Sequence, residues 1–222
     1  MLPLRDLNPS RSTPVAVYAL IATCVAVFLY TVGLESEGVR TAFFLRYGAV
    51  PAEVTAGLAG APGLLTSMFL HGSWMHLGGN MLYLWVFGDN VEDAMGHGRF
   101  LVFYLLSGVL AGLTHVATQP TSPVPLVGAS GAIAAVLGAY LVLYPRASIL
   151  SLVVLGVFIR FVELPALLVL SLWFLLQLVQ GMAALGAPGV TTVAWWAHIG
   201  GFVAGVALVG IFARRRRTPR WW

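Results

Sequence analysis

The fold is decided by one apolar stretch, 194-AWWAHIGGFVAGVALVGIF-212. It contains no Asp, Glu, Lys or Arg, and its only histidine is His198. A helix needs about 20 predominantly apolar residues to cross a bilayer, and this stretch has nearly that length. It therefore predicts a transmembrane helix over residues 194–212, with a histidine close to the beginning of the helix.

The rest of the chain has the same apolar character. Hydrophobic residues make up 59% of the sequence and charged residues 9%, whereas soluble domains carry about a quarter charged residues. Five further stretches qualify as spans, at about residues 15–32, 75–87 with apolar flanks, 100–117, 130–144 and 164–185. The sequence thus predicts an all-α polytopic membrane protein, a bundle of six transmembrane helices.

The segment 147–159 is apolar but is not counted among these spans. It lies between Arg146 and Arg160. As a helix its residues cover only about 20 Å, and the hydrocarbon core of a bilayer is about 30 Å thick. We interpret it as an interfacial or re-entrant segment.

The arginines indicate the orientation, since the chain contains no lysine. With six spans, both termini lie on the same side of the membrane. That side then holds all the arginines except Arg40 and Arg46, namely Arg5, Arg11, Arg99, Arg146, Arg160, Arg214, Arg215, Arg216, Arg217 and Arg220. Because arginine is enriched in cytoplasmic loops, we expect both termini to be cytoplasmic.

This orientation divides the chain into three parts. They are a cytoplasmic N-terminal segment (residues 1–14), a six-helix membrane domain (15–213) and a basic cytoplasmic tail (214–222). A basic tail so close to a span favours contact with lipid headgroups, and we expect no nucleic-acid partner. The Ala-, Val- and Gly-rich composition, with arginine in place of lysine, indicates a bacterial protein of the cytoplasmic membrane.

The ionisable residues argue against a small-molecule carrier and against a metal site. Asp89, Glu92 and Asp93 follow the second predicted span, and Glu163 lies at the beginning of the fifth. Carriers usually place an ionisable group near the bilayer midplane. The sequence also lacks a His-Glu-x-x-His pattern, and its single cysteine, Cys24, is isolated. We therefore predict no metal ion and no cofactor.

A first polar cluster occurs at 71-HGSWMHLGGN-80. His76 and Asn80 are four residues apart and share one face of a helix, whereas His71 precedes a plausible helix start at Ser73. Imidazole and amide donors on that face have two plausible roles. They stabilise a developing anion, or they join helices by hydrogen bonds inside the bundle.

A second motif, 128-GASG-131, begins the fourth predicted span. Ser130 at a helix N-terminus lies among unpaired backbone N–H groups, which suits a nucleophile that generates an oxyanion. Gly128 and Gly131 would let a substrate backbone approach closely. The simpler alternative is that Ser130 is the N-cap of the helix.

Small residues connect this motif with the sixth predicted span. His198 shares a helix face with Gly201 and Gly205, and Ser130 shares one with Gly138. Stripes of small residues let two helices pack backbone to backbone, so these two helices would bring the serine and the histidine together. Histidine can take the proton of a serine hydroxyl, and no carboxylate is placed to orient it. The pattern therefore favours a Ser-His dyad over a triad.

Taken together, these motifs resemble the rhomboid family of intramembrane serine proteases. The resemblance covers the six-span core, about residues 16–212, and therefore nearly the whole chain. It is carried by His71, His76 and Asn80, by 128-GASG-131, and by 197-AHIGG-201 with Gly205.

The resemblance implies roles for these residues. Ser130 would attack the scissile carbonyl, and His198 would act as general base and then as general acid. The Ser130 N–H and the side chains of Asn80 and His76 would hold the oxyanion, and His71 would shape or hydrate the pocket. The substrates would be single-span membrane proteins cut near the outer membrane boundary. The fifth span and residues 186–193 would form a gate and a cap.

One departure from the family pattern concerns the orientation of the histidine. Some members carry an aromatic residue four positions after the nucleophile, stacked on the catalytic histidine, and here that residue is Ala134. We expect other contacts to orient His198. An alternative function also stays open, that of a catalytically inactive relative that binds membrane clients.

Overall fold

The computed structural model describes residues 1–156, 158–185 and 193–214. The protein is mostly helical. In chain order its helices are α1 (Val15–Val32), α2 (Glu37–Tyr47), α3 (Pro51–Ala56), α4 (Ala61–Thr66), α5 (Trp74–Met95), α6 (His97–Thr118), α7 (Ser130–Leu143), α8 (Ala166–Leu185) and α9 (Trp195–Phe212). Short 3-10 turns at Leu58–Gly60 and Ser67–Phe69 flank α4.

Each of the six predicted spans overlaps one helix, in order α1, α5, α6, α7, α8 and α9. In the described part of the chain, α1, α6, α8 and α9 are long and apolar enough to cross a membrane. Helix α5 continues through Asp89, Glu92 and Asp93 to Met95, and α7 has 14 residues. The protein is therefore a polytopic membrane protein, and the count of six spans stays a prediction.

Helix α7 is short because it lies in the middle of the bundle. Its residues from Gly131 to Tyr140 are all buried, and it packs against α5, α6, α8 and α9. Fourteen helical residues cover only about 21 Å. Neighbouring helices, and not lipid, surround this stretch.

The glycine faces of α7 and α9 meet backbone to backbone. A Cβ atom added at Gly201 would overlap the carbonyl oxygen of Gly131, and one at Gly205 would overlap a carbonyl oxygen of α7. A Cβ added at Gly138 would overlap a carbonyl oxygen of α9 in the same way. This close approach requires glycine, and it holds the beginnings of the two helices side by side.

The segment 147–159 forms β-structure. Strands β1 (Leu2–Asp6), β2 (Ser148–Leu155) and β3 (Phe158–Pro165) make an antiparallel sheet in the order β1-β2-β3. Gly156, with φ +60°, lies in the turn between β2 and β3. The segment is therefore a hairpin and not a re-entrant segment, because its β-branched residues pair with their neighbours along the chain and with the N-terminus. An interfacial position for this hairpin stays a prediction. Helix α8, which corresponds to the predicted fifth span, begins at Ala166, two residues later than predicted. Leu164 and Pro165 still belong to β3.

We call the end of the bundle that carries β1–β3, Asp6 and Glu92 the sheet end. Glu92 is fully buried there, and its two carboxylate oxygens accept hydrogen bonds from the backbone N–H groups of Ala16 (2.9 Å) and Val17 (2.8 Å). It caps α1 from a neighbouring helix. Residues 1–14 thus contribute a strand to this end, and their separation from the membrane domain stays a prediction.

The opposite end, where α5, α7 and α9 begin, is the serine end. Ser73 accepts a hydrogen bond from the backbone N–H of His76 (3.1 Å) and is the N-cap of α5, as the sequence predicts. The predicted cap over residues 186–193 lies outside the described residues except for Val193. The basic tail likewise lies outside them beyond Arg214.

Candidate active site

Ser130 is the first residue of α7, and its side chain does not cap the helix. Ala129 occupies the N-cap position and makes no side-chain cap hydrogen bond. The Ser130 Oγ instead lies 2.8 Å from the Nε2 of His198, in the first turn of α9. The contact joins residues 68 positions apart in the chain, at the point where the glycine faces of α7 and α9 meet. The hydroxyl is thus hydrogen-bonded to an imidazole and not to its own helix.

The other ring nitrogen of His198 has a partner that sequence reasoning missed. Its Nδ1 lies 2.8 Å from the Oε1 of Gln177, on α8. An amide oxygen only accepts hydrogen bonds, so Nδ1 carries the proton and Nε2 is left with a lone pair toward Ser130. One signal in the sequence pointed to Gln177, because a polar amide inside an apolar span is costly unless it is hydrogen-bonded.

Two tryptophans complete the surroundings of His198. The ring centroids of Trp173 and His198 are 6.0 Å apart with the planes inclined at 35°, and Trp195 meets the imidazole edge-on at 6.0 Å. Trp173 comes from α8 and Trp195 from α9 itself. Some family members stack an aromatic residue of the serine helix on this histidine, and the corresponding residue here is Ala134. The two tryptophans contact His198 instead, which agrees with the prediction that other contacts orient it.

His76 and Asn80 lie over the loop that leads into Ser130. Gly128 has φ +124°, and a Cβ added to it would lie 2.6 Å from the Nε2 of His76 and 3.7 Å from the Nδ2 of Asn80. Gly128 therefore leaves room for His76, in a backbone conformation that other residues rarely adopt. Its own N–H donates to the carbonyl of Ser67 (2.9 Å), which holds the loop against the 3-10 turn before α5.

A long backbone hydrogen bond favours one tautomer of His76. The N–H of Gly72 donates to its Nδ1 over 3.5 Å, a long hydrogen bond. In the neutral imidazole the proton is then on Nε2, the nitrogen nearest Gly128. His76 thus presents a donor toward the loop before Ser130.

Asn80 and His71 are both buried. Asn80 is 8% exposed and its Nδ2 has no acceptor within the described residues, whereas His71 is 1% exposed and interacts with the backbone of Phe69. His71 lies edge-on to His76, with ring centroids 5.1 Å apart. An asparagine that joined helices would donate to a neighbouring helix, so the geometry does not favour that alternative for Asn80.

A narrow cavity lies beside Ser130. Its lining includes Ser130, Gly128, Gly131, Ala197 and Met68. A larger cavity, of about 300 Å³, lies at the sheet end beside Asp6 and Asp89, away from the serine. Of the candidate site residues, Ser130, Gly128 and Gly131 line the narrow cavity.

Comparison with known proteins agrees with this arrangement. The family model described as Rhomboid domain matches residues 59–215, which include all three motifs. The chain belongs to the rhomboid family.

Several curated relatives of this rhomboid come from bacteria and from organelles. The protein is 33% identical over 142 residues to Rhomboid protein 1, mitochondrial, from Saccharomyces cerevisiae, a match over 62% of this chain and 39% of the relative. It is 46% identical over 78 residues to Rhomboid protease GluP from Bacillus subtilis, over 35% of this chain and 15% of the relative. It is 28% identical over 158 residues to Rhomboid-like protein 11, chloroplastic, from Arabidopsis thaliana, over 68% of this chain and 52% of the relative. The chain thus spans about half or less of the length of these relatives.

Proposed function

We propose that this rhomboid is an intramembrane serine endopeptidase with a Ser130–His198 dyad. The observation that carries the proposal is the 2.8 Å separation between Ser130 Oγ and His198 Nε2. Nε2 is the unprotonated nitrogen of the ring when Nδ1 donates to Gln177. It is therefore ready to accept the hydroxyl proton, as activation of a serine nucleophile requires.

The dyad would work in two stages. His198 takes the proton as the Ser130 Oγ attacks the scissile carbonyl, and it returns the proton to the leaving amine, which produces an acyl-enzyme. Water, deprotonated by the same imidazole, then hydrolyses the ester to release the second product. The residues present suffice for both stages, and neither stage needs a metal ion or a cofactor.

Three donors surround the position of the developing oxyanion. The N–H of Ser130 is in the first turn of α7, where helix geometry leaves N–H groups without intrahelical acceptors. His76 presents Nε2–H, and Asn80 presents an Nδ2 that has no partner among the described residues. Donors held in advance in a buried site stabilise the oxyanion without reorganisation, and this is commonly the largest catalytic contribution.

The substrates we propose are single-span membrane proteins. A dyad set among membrane-spanning helices is reached most directly by a peptide that already lies in the bilayer. We further propose that both termini are cytoplasmic and that the protein lies in a bacterial cytoplasmic membrane. This places the serine end near the outer boundary of the membrane, where the cut would occur.

The test uses the purified full chain in liposomes with a model single-span substrate. We expect the wild-type protein to cleave it and Ser130→Ala to abolish cleavage. Ser107→Ala is the matched control, because Ser107 is a fully buried serine of α6 that lies outside the dyad, and it should cleave at the wild-type rate. Binding of the substrate without cleavage by the wild-type protein would instead support the inactive-relative alternative.

A further inference from the structure

We propose that Gln177 is a positioning residue, which holds His198 in the tautomer that accepts the proton of Ser130. The proposal rests on the proposed function and adds a third residue to the dyad. Gln177 is contributed by α8, whereas Ser130 and His198 are on α7 and α9. The site would then depend on three helices and not on two.

The hydrogen bonds of Gln177 have only one consistent direction. Its Nε2 donates to the backbone carbonyl of Trp173 (3.3 Å), and its Oε1 faces the Nδ1 of His198 (2.8 Å). If the amide were flipped, its oxygen would face the Trp173 carbonyl oxygen, and two acceptors would oppose each other. The backbone of α8 therefore fixes the amide, the amide fixes the proton on Nδ1, and the lone pair is left on Nε2.

The burial of Gln177 supports the same conclusion. Only 7% of the residue is exposed, on a helix whose other faces carry exposed apolar residues such as Leu172, Leu175 and Val179. A buried amide in an apolar bundle costs free energy unless its hydrogen bonds are made. Gln177 makes both of them, one to its own helix and one to the proposed catalytic histidine.

Within the described residues, His198 has no carboxylate among its hydrogen-bond partners. In a Ser-His-Asp triad the aspartate both fixes the tautomer and stabilises the imidazolium. Gln177 supplies the first of these effects through a neutral acceptor and lacks the charge for the second. The side chain is thus placed to orient the base, and it does not touch the substrate.

Two substitutions separate this role from a purely structural one. Gln177→Leu removes the acceptor, and we expect kcat to fall about tenfold with KM unchanged, the loss that one hydrogen bond of ordinary strength produces. Gln177→Glu keeps an oxygen acceptor at the same position and should retain kcat within about threefold. If Gln177 only filled space, the order would be reversed, because an apolar leucine fits a membrane bundle better than a glutamate.

Gln180→Leu is the matched control for this pair. Gln180 lies one turn further along α8 and is exposed, so kcat should stay at the wild-type value. A Gln177→Leu variant with wild-type kcat, or one that is more active than Gln177→Glu, would overturn the proposal.

A second measurement does not depend on cleavage. The ¹⁵N chemical shifts of the imidazole, assigned by comparison with His198→Ala, distinguish a proton on Nδ1 from one on Nε2. We expect the Nδ1–H tautomer in the wild-type protein and a mixture of tautomers in Gln177→Leu. An unchanged tautomer in Gln177→Leu would refute the positioning role. A wild-type protein that shows the expected tautomers but no cleavage would refute the proposed function alone.

Discussion

Two buried asparagines of α5, one at each end of the bundle, differ in their hydrogen bonds. At the sheet end, Asn90 Nδ2 donates to the Asp6 carboxylate (2.8 Å) and to the carbonyl of Asn8 (3.0 Å), and its Oδ1 accepts from Asn8 (2.6 Å). At the serine end, Asn80 Nδ2 is buried with no partner among the described residues. The same residue type, ten positions apart on one helix, is satisfied at one end and unsatisfied at the other.

The difference between Asn90 and Asn80 indicates which buried polar groups stabilise the fold and which serve function. Buried polar groups are nearly always hydrogen-bonded in native proteins, so a paired set such as Asn90 and Glu92 indicates an anchor that stabilises the fold. An unpaired buried donor costs free energy, and at Asn80 we propose that the substrate oxyanion completes it. We therefore expect variants at the serine end to lose activity and keep stability, and variants at the sheet end to do the reverse.

The largest effect should come from His198→Ala. Removing the base leaves Ser130 without a proton acceptor, so kcat should fall by at least about 10³-fold, whereas the melting temperature should fall only by the loss of the hydrogen bond to Gln177. Substrate cleavage in liposomes and thermal unfolding in detergent measure the two quantities. His97→Ala, an exposed histidine at the sheet end, serves as the control. Comparable losses of kcat in His198→Ala and His97→Ala would contradict the division between the two ends of the bundle.

Asn80→Ala should reduce kcat by about 10²–10³-fold, the cost of one oxyanion donor. It should not lower the melting temperature, because the deleted amide has no partner among the described residues. The matched variant is Asn90→Ala, which should lower the melting temperature and leave kcat per folded molecule unchanged. If Asn80→Ala destabilises the protein as much as Asn90→Ala does, Asn80 joins helices and is not an oxyanion donor.

Glu92→Ala tests whether a buried carboxylate at the sheet end stabilises the fold without affecting cleavage. It removes the carboxylate that accepts from the N–H groups of Ala16 and Val17, so the free energy of unfolding should fall by roughly 2–3 kcal/mol. For a chain of this size that corresponds to a melting temperature lower by about 5–10 °C. Cleavage by the folded fraction should not change. Glu163→Ala, an exposed carboxylate of β3, should shift neither quantity.

The smallest effect should be a pH dependence of stability at the sheet end. Burial raises the pKa of Asp6 to about 6 from 3.8, although the hydrogen bond from Tyr140 opposes this rise. The folded state therefore binds this proton more tightly than the unfolded state, and stability should fall as pH rises from about 4 through 6. Asp6→Asn should flatten the melting temperature between pH 4 and 7. An unchanged slope in that variant would assign the pH dependence to other groups.

The helices and the candidate reactive residues could be predicted from the chain because their signals are local. A run of apolar residues of bilayer length, a four-residue spacing such as that of His76 and Asn80, and a glycine face each lie within one helix. The glycine faces also predicted the contact between α7 and α9, since only small residues allow that approach.

Other features depend on distant partners and could not be read in this way. Strand β2 of the hairpin pairs with β1 near the N-terminus, and an apolar segment alone does not distinguish a strand from a re-entrant segment. Gln177 looked like one amide among apolar residues until α8 was placed against α9.

The amino-acid sequence by itself determined that this protein lies in a membrane and that it carries a serine and a histidine on helices that can pack closely, and it predicted that no carboxylate orients the histidine. Only the tertiary structure decided which side chain occupies the second nitrogen of His198, and which polar groups are left unpaired around Ser130. The physical reason is that hydropathy and helical spacing are properties of a segment. The direction of a hydrogen bond between helices depends on how those helices are arranged in space.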